Sequence, residues 1–287
     1  MWLGPGPALA IAAVLAVAGF ALRAPGGRQR AVGAVAREAA LLFTLYAFWR
    51  IAVRARSSEL AVGLANGETV WRIERAIGIG NEAAIERWVL QYPDVMRVAN
   101  AFYAYVHVPA LVAVIVWLFV RHRDRYHAIR NVVAATTALC LLWAFVPVAP
   151  PRMYPEHGFV DAGRVFGQSV YGPVGQGISN QVSALPSMHA AWALVVAYAV
   201  VAASPSRWRW SIAAHPVLTL LAIVVTANHW WLDSVAAAAV LGAVLAVGRT
   251  LARLRARRPA CPRQEPSPAE PVAEPLSLGT RRDPSRP

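Results

Sequence analysis

The chain has 287 residues, of which 57% are hydrophobic, and its mean hydropathy is +0.43. A soluble domain usually carries about 45–50% apolar residues. Here the apolar residues are spread along the whole chain, which argues against a soluble domain and against a soluble domain with one anchor. The net charge is +13, and the arginines that carry it mostly flank apolar runs. We attribute this charge to membrane topology and anionic headgroups, and we expect no nucleic-acid partner.

Seven apolar runs approach the roughly 20 residues that are needed to cross a bilayer. In chain order they cover 7–22, 36–54, 95–120, 127–149, 187–203, 211–228 and 231–249. The first run is short, so six spans remain an alternative to seven. The sequence therefore predicts an all-α fold, a polytopic membrane helix bundle with six or seven transmembrane helices.

Two segments outside these runs have their own character. Residues 66–91 alternate apolar and charged patches, which predicts amphipathic helices lying in the interface plane, with an ordinary solvated helix pair as the alternative. Residues 259–287 are rich in Pro, Ser, Glu and Arg, which predicts a disordered cytoplasmic tail. The sequence thus divides into one transmembrane domain at 1–258, with its core at about 95–250, and the tail.

Arginine clusters follow the first, third, fifth and seventh spans. They comprise Arg23, Arg28 and Arg30; Arg121, Arg123, Arg125 and Arg130; Arg207 and Arg209; and Arg249, Arg253, Arg255, Arg257 and Arg258. With seven spans all four clusters fall on one side, which the positive-inside rule assigns to the cytoplasm. The protein is then a multi-pass protein of the cell membrane whose C-terminus is cytoplasmic. The starts of the fifth and seventh spans meet at the extracytoplasmic face.

Ionisable residues stand at those two starts. His229 and Asp233 are spaced i, i+4, so on a helix they would share one face. A carboxylate bonded to one imidazole nitrogen fixes the tautomer and raises the basicity of the other nitrogen. This arrangement is typical of a basic or nucleophilic histidine. A polar pair that only bridges helices is the alternative for this motif alone.

His189 stands in a segment that predicts a helix start. Pro186 suits a first turn and Ser187 is a good cap, so His189 should lie among free backbone N–H groups. Such a terminus is an anion site, and a phosphate there would meet those groups, the Ser187 hydroxyl and an imidazolium. An interfacial histidine facing headgroups is the alternative.

Arg152 follows 149–151 at the predicted outer end of a span, where its guanidinium could pair with phosphate oxygens. Ordinary headgroup anchoring is the alternative. His107 lies inside the third span. Intramembrane histidines suggest function, and a hydrogen-bonded structural role is equally compatible with the sequence.

The other polar residues carry weaker predictions. Arg164 is a second candidate for phosphate binding, whereas Arg130 falls at the predicted cytoplasmic end and is left out. We expect Asp161 and Glu156 to be solvated, with binding of an acceptor as the alternative. The remaining histidines are expected at the interface: His122, His127, His157 and His215.

Together these segments resemble the type 2 phosphatidic acid phosphatase superfamily, whose hallmark is a Pro-Ser-Gly-His-like segment followed by one ending in His-x-x-x-Asp. The likeness is closer to the branch that includes the inositol phosphorylceramide synthases. That branch has Leu-Pro-Ser-(apolar)-His-Ala, with Ala-Pro-Pro upstream, and this chain has the same patterns at 185–190 and 149–151. The chain departs from the superfamily in having no lysine, no arginine shortly before the last motif, and Met188 in place of glycine.

The resemblance implies a lipid phosphate phosphatase or phosphotransferase that needs no metal and no cofactor. His229 would attack phosphorus and form a phosphohistidine, Asp233 would orient it, and His189 would protonate the leaving group and then activate the acceptor. Arg152 and Ser187 would bind the phosphoryl oxygens. The expected substrate is a lipid phosphate or phospholipid in the bilayer, and the acceptor is water, a lipid alcohol or a polyol.

Three alternatives to this function follow from the sequence. A transporter would use the polar residues to line a pathway. A metal-dependent membrane hydrolase would use His189, His229 and Asp233 as ligands. A catalytically inactive scaffold would keep only the fold.

Overall fold

The computed structural model describes residues 3–23, 26–55, 60–143, 145–166 and 182–256. Within these ranges the chain forms eleven α-helices. They are α1 (Pro5–Ala21), α2 (Gly27–Ala55), α3 (Leu60–Ala76), α4 (Glu82–Val89), α5 (Pro93–Tyr105), α6 (His107–Arg121), α7 (Arg123–Trp143), α8 (Ala162–Val165), α9 (Met188–Ala203), α10 (Ala214–Val225) and α11 (Trp231–Ala256). The predicted all-α fold is confirmed.

Three helical segments are long and apolar enough to cross a membrane: Gly27–Ala52, Arg207–Val225 and Trp231–Ala256. The pair α5 and α6 meets the same test jointly, but it is bent by 47°. Helices α1 and α9 are apolar and shorter, with 17 and 16 residues. By this measure the described residues hold three spans, or four with the bent pair, against the six or seven predicted. Each of the seven predicted runs nevertheless falls on a helix.

Two predicted spans differ from the structure where prolines stand. The run 95–120 is broken at Val106, because Pro109 has no N–H to offer the carbonyl four residues earlier and its ring crowds that carbonyl. The run 127–149 is helical only to Trp143, and residues 145–149 form a turn and an extended stretch. Pro147 and Pro150 disfavour the helical conformation of the residues before them.

The amphipathic segment forms α3 and α4, but it is not a solvated pair. Glu74, Glu82 and Glu86 are only 0–1% exposed, which neither the interface-plane prediction nor its alternative anticipated. Helix α3 presses on the chain at 147–154. A Cβ atom at Gly67 would lie 2.2 Å from the Tyr154 hydroxyl oxygen and 2.6 Å from the Ala149 carbonyl oxygen.

The chain divides into two units, Met1–Gly248 and Arg249–Pro287. The first unit contains every residue of the candidate site. Of the second unit, the structure describes the end of α11, up to Ala256. The predicted tail, 259–287, lies outside the described residues, as do Arg257 and Arg258, and its disorder stays a prediction.

Candidate active site

Three stretches outside the α-helices converge in the structure. They are residues 145–154 after α7, residues 182–187 before α9, and residues 226–230 after α10. The Val148 amide donates to the Val182 carbonyl at 2.8 Å, next to the single backbone bridge that the described residues form, Val148 with Ser183. The Arg152 amide donates to the Ala227 carbonyl at 2.8 Å, and the Ser187 amide donates to the Asp233 carbonyl at 3.1 Å. These backbone bonds bring together the three motifs that the sequence singled out.

His229 and Asp233 are paired, by a geometry that differs from the predicted one. His229 precedes α11 and is not on a helix, so the two residues do not share a helix face. Asp233 instead reaches back from the first turn of α11, where its Oδ2 lies 3.0 Å from His229 Nδ1 and accepts the Trp230 amide at 2.9 Å. His229 Nδ1 is also 3.0 Å from the Ala184 carbonyl oxygen. Two acceptors at Nδ1 fix the proton there and leave Nε2 as the basic nitrogen.

The predicted start of α9 is confirmed with one shift of register. Ser187 is the N-cap, and its side chain accepts from the Ala190 amide at 3.2 Å, while Pro186 precedes the cap. His189 is therefore the second residue of the helix. The first bond of the helix proper runs from the Ala191 amide to the Ser187 carbonyl, so the amides of Met188 and His189 face the end of the helix, as in an anion site.

His189 and His229 come together across these two helix starts. Their ring centroids are 5.6 Å apart with planes inclined at 58°. Tyr103 from α5 packs on His189 at 4.3 Å and lies 6.4 Å from His229. Residues about 40 positions apart thus form one cluster, as the sequence predicted, but Tyr103 was missed because an aromatic residue in an apolar helix is ordinarily core.

Arg152 is buried beside this cluster, at 7% exposure. Its Nη1 donates to the Asn228 side-chain oxygen at 2.9 Å, and Asn228 in turn donates to the Thr226 hydroxyl at 2.8 Å. Asn228 was not a predicted site residue, although its place directly before His229 is the signal that could have found it. Ala227, which lies between Thr226 and Asn228, has φ +51. This left-handed conformation is costly for alanine, and it turns the chain from α10 into the site.

Buried carboxyl groups support the start of α11 from outside the histidine cluster. Glu74 Oε1 on α3 accepts the Leu232 amide at 2.7 Å. Burial and a hydrogen bond with Glu82 raise the pKa of Glu74 from 4.5 to about 9, so this carboxyl group is protonated at neutral pH. Burial also raises the pKa of Glu86 to about 8, and Glu86 accepts the Val160 amide at 3.2 Å. These glutamates were missed because their spacing is also that of a solvated helix face.

Other candidates lie apart from the cluster. Arg164 is mostly exposed and pairs with Asp161 at 3.3 Å, and Asp161 caps α8. Glu156 is exposed. Arg130 pairs with Glu38 of α2 at 2.7 Å. The remaining histidines contact neighbouring side chains: His157 with Trp71 and Glu68, His122 with Trp117, His127 with Tyr126, and His215 with Phe102 and His107.

Among the residues that the structure describes, no group of three or more His, Cys, Asp or Glu side chains has the geometry to hold a metal ion. The cluster consists of an oriented imidazole, a second imidazole at a helix N-terminus, and a buried guanidinium. This combination suits attack on a phosphoryl group.

The family pattern of the PAP2 superfamily, which is the type 2 phosphatidic acid phosphatase superfamily that the motifs resemble, matches residues 68–247, more than half of the chain. The match covers every member of the cluster. The chain belongs to the PAP2 superfamily, and membership indicates phosphoric-ester hydrolase or phosphotransferase activity. No curated protein and no solved structure matches the chain.

Proposed function

We propose that the protein is an integral membrane lipid phosphate phosphatase or phosphotransferase that acts through a phosphohistidine on His229. The observation that carries the proposal is the His229–Asp233 contact of 3.0 Å, with the His189 ring centroid 5.6 Å from that of His229. One imidazole has a held Nδ1 proton and an available Nε2. The other is placed to exchange a proton with an oxygen on the same phosphorus.

In the first step His229 Nε2 attacks phosphorus. The N–P bond forms as the bond from phosphorus to the leaving oxygen breaks, and His189 gives that oxygen a proton. The positive charge that develops on the His229 ring is stabilised by Asp233, which is buried and 3.0 Å from Nδ1. Such positioned proton transfer contributes about 10²- to 10⁴-fold to rate.

In the second step His189 takes a proton from the acceptor, whose oxygen then attacks phosphorus. The new O–P bond forms as the P–N bond breaks, and His229 returns to its starting state. Water as acceptor gives a phosphatase, and a lipid alcohol or polyol gives a transferase.

The transferred phosphoryl oxygens would be bound by positive and N–H groups that converge on the cluster. Arg152 uses Nη1 to hold Asn228, and a guanidinium has five N–H donors in all. The Ser187 hydroxyl accepts a backbone amide, which leaves its proton for a phosphoryl oxygen. Because charge stabilisation and positioning are the main effects, loss of His229 should reduce activity more than loss of Ser187.

Transfer to a lipid or polyol hydroxyl, as in the inositol phosphorylceramide synthase-like branch, is the second candidate. The patterns at 185–190 and 149–151 favour it. The lack of the superfamily's usual lysine also favours this branch, which tolerates such changes, and Arg152, which donates to Asn228, is the candidate to replace it.

The transporter and scaffold alternatives fit the described residues less well. A pathway would spread paired ionisable groups along the membrane, whereas His189, His229 and Asp233 gather at two helix starts. A scaffold has no need of a buried carboxylate held against an imidazole.

The test is release of phosphate from a panel of lipid phosphates by purified protein in detergent with EDTA. The variant His229→Ala is compared with His122→Ala, a matched loss of an imidazole outside the cluster. We expect activity in the wild type and in His122→Ala and none in His229→Ala. Activity that EDTA abolishes would support the metal-dependent alternative and overturn the proposed mechanism.

A second measurement decides between the acceptors and tests the intermediate. With radiolabelled p-nitrophenyl phosphate, whose leaving oxygen needs little help from an acid, we expect alkali-stable, acid-labile label on the wild type and more of it on His189→Ala, because that variant forms the intermediate but cannot activate the acceptor. Product that appears only after addition of a lipid alcohol or inositol identifies the transferase. Absence of label, of phosphate release and of transfer in the wild type would overturn the proposal.

A further inference from the structure

His107 is a buried histidine for which the proposed chemistry has no use. It is 4% exposed, and neither Nδ1 nor Nε2 of its ring has a hydrogen-bond partner in the described part of the chain. Buried polar groups in proteins are almost always hydrogen-bonded, and each exception calls for an explanation. If His107 only filled space, an apolar ring could replace it, and no buried nitrogen would then lack a hydrogen bond.

The break between α5 and α6 places this residue. Pro109 interrupts the helix, α6 begins at His107, and the two helices are bent by 47°. The His107 ring meets the His189 ring edge to face, with centroids 4.7 Å apart and planes at 82°. Tyr103, one turn earlier, packs on the same His189 ring at 4.3 Å.

His189 has a matching deficit. Its Nδ1 is buried and has no hydrogen-bond partner among the described residues. The corresponding nitrogen of His229 is held by Asp233. An imidazole that must give a proton and later take one back needs its other nitrogen held, because otherwise the proton is lost to the wrong nitrogen.

We propose that His107 is a positioning residue for His189, to which it is joined at Nδ1 through one bound water. The Nδ1–H of His189 donates to the water, and the water donates to an unprotonated ring nitrogen of His107. In its protonated form His189 gives the Nε2 proton to the leaving oxygen and keeps the proton at Nδ1, so that Nε2 is free to take the proton of the acceptor. This inference rests on the proposed function. It has His107 hold the Nδ1 proton of His189, as Asp233 holds the Nδ1 proton of His229.

The first experiment separates this role from simple packing by using two leaving groups. His107→Phe keeps a ring and removes both nitrogens, and His107→Gln restores an acceptor. On a lipid phosphate we expect His107→Phe to lower kcat by about 10- to 100-fold, the usual cost of losing a partner that orients a reacting group, with KM within about twofold. His107→Gln should recover part of the loss. The matched control is His215→Phe, whose ring lies 6.2 Å from His107, and we expect wild-type kcat.

With p-nitrophenyl phosphate the leaving oxygen needs little help from an acid. We therefore expect the first-turnover burst of p-nitrophenolate to fall by less than about threefold in His107→Phe. An equal loss with both leaving groups would show a packing role and overturn the proposal, as would undiminished kcat on the lipid phosphate.

The second experiment does not depend on turnover. Nitrogen NMR of histidine-labelled protein in detergent reports the tautomer of each ring. For the neutral His189 ring we expect a single Nδ1–H tautomer in the wild type and in His215→Phe, and a mixture of tautomers in His107→Phe. A mixture in the wild type would overturn the inference. A fixed wild-type tautomer with no activity on any phosphate would overturn the proposed function and leave the hydrogen bond established.

Discussion

At the scale of single residues, Asp233 is the group on which most of the cluster depends. Its Oδ2 serves both His229 Nδ1 and the Trp230 amide, while its own backbone carbonyl accepts the Ser187 amide. One side chain therefore sets the tautomer of His229 and the first turn of α11. Its backbone also joins that turn to the start of α9.

Replacement of Asp233 by asparagine separates these duties. The amide oxygen can still accept one N–H, but not with the charge that supports an imidazolium, so we expect kcat to fall by about 10²- to 10⁴-fold. Stability should fall by about 1 kcal/mol, the usual cost of a weakened cap. Phosphate release and thermal unfolding in detergent measure the two effects. Asp124→Asn, an exposed carboxylate on α7, is the control, and a loss of activity below tenfold in Asp233→Asn would contradict this role.

Glu74 should tolerate loss of its charge but not loss of its carboxyl group. With a pKa of about 9 the group is already neutral at pH 7, and glutamine keeps an oxygen for the Leu232 amide. We expect Glu74→Gln to unfold within about 1 kcal/mol of the wild type and Glu74→Ala to lose about 1–3 kcal/mol, because the buried amide is left without an acceptor. Denaturation in detergent at pH 7 compares them. Equal losses in the two variants would show that the hydrogen bond contributes nothing.

The same carboxyl group makes stability depend on pH. Its folded pKa of about 9 lies above the ordinary 4.5, so the folded state binds more protons between these values and stability falls as pH rises through that window. Glu86, with a pKa of about 8, acts in the same direction, and Glu82 and Asp233 add like charge near Glu74. We expect the melting temperature to fall from pH 6 to pH 9 and the slope to be shallower in Glu74→Gln. A slope unchanged by Glu74→Gln would refute the assignment.

At the scale of helices and loops, the contact of α3 with 147–154 fixes where Arg152 stands. Gly67 permits that contact, since a Cβ there would overlap the Tyr154 hydroxyl and the Ala149 carbonyl. Two hydrogen bonds join α3 to the same segment. The Asn66 side-chain amide donates to the Pro147 carbonyl at 2.7 Å, and the Tyr154 hydroxyl donates to the Leu64 carbonyl at 2.6 Å. Helix α3 thus holds in place the loop that contains Arg152.

Gly67→Ala should push α3 away from this loop. Overpacking of this kind costs about 1–3 kcal/mol, and a displaced Arg152 should lower kcat as well. The matched control is Gly242→Ala on α11, where a Cβ would meet nothing within 4 Å, and there we expect a gain of about 0.5–1 kcal/mol from helix propensity. Unfolding and phosphate release are measured on both. A Gly67→Ala protein as stable and active as Gly242→Ala would show that α3 yields without consequence.

What the sequence could predict at this scale was set by local chemistry. Ser187 capped α9 as expected because a cap depends on its own helix. The i, i+4 spacing predicted that His229 and Asp233 would share a helix face, which was wrong because His229 precedes α11, although the two side chains do meet. The break at Val106 was missed because hydropathy continues across it, although Pro109 was a visible signal. Burial of Glu74 and Glu86 could not be foreseen, since it depends on α11 and on residue 160, which lie far away in sequence.

At the scale of the whole molecule, orientation in the membrane remains a prediction that arginine distribution supports. The clusters at 121–130 and 207–209 flank turns between helices whose opposite ends carry the site. The positive-inside rule counts such short loops most strongly. The site then opens at the extracytoplasmic face, where it would meet lipid phosphates of the outer leaflet.

Cysteine labelling in intact cells tests this orientation. In a background of Cys140→Ser and Cys261→Ser, single cysteines replace Glu156 in the loop beside the site and Pro205 between α9 and α10, both of which are exposed. We expect an impermeant maleimide to label Glu156→Cys in intact cells and Pro205→Cys only after permeabilisation, because the two positions lie at opposite ends of α9 and α10. The reverse pattern would place the site in the cytoplasm, so its substrate would have to come from the inner leaflet. Labelling of both positions without permeabilisation would contradict a fixed orientation.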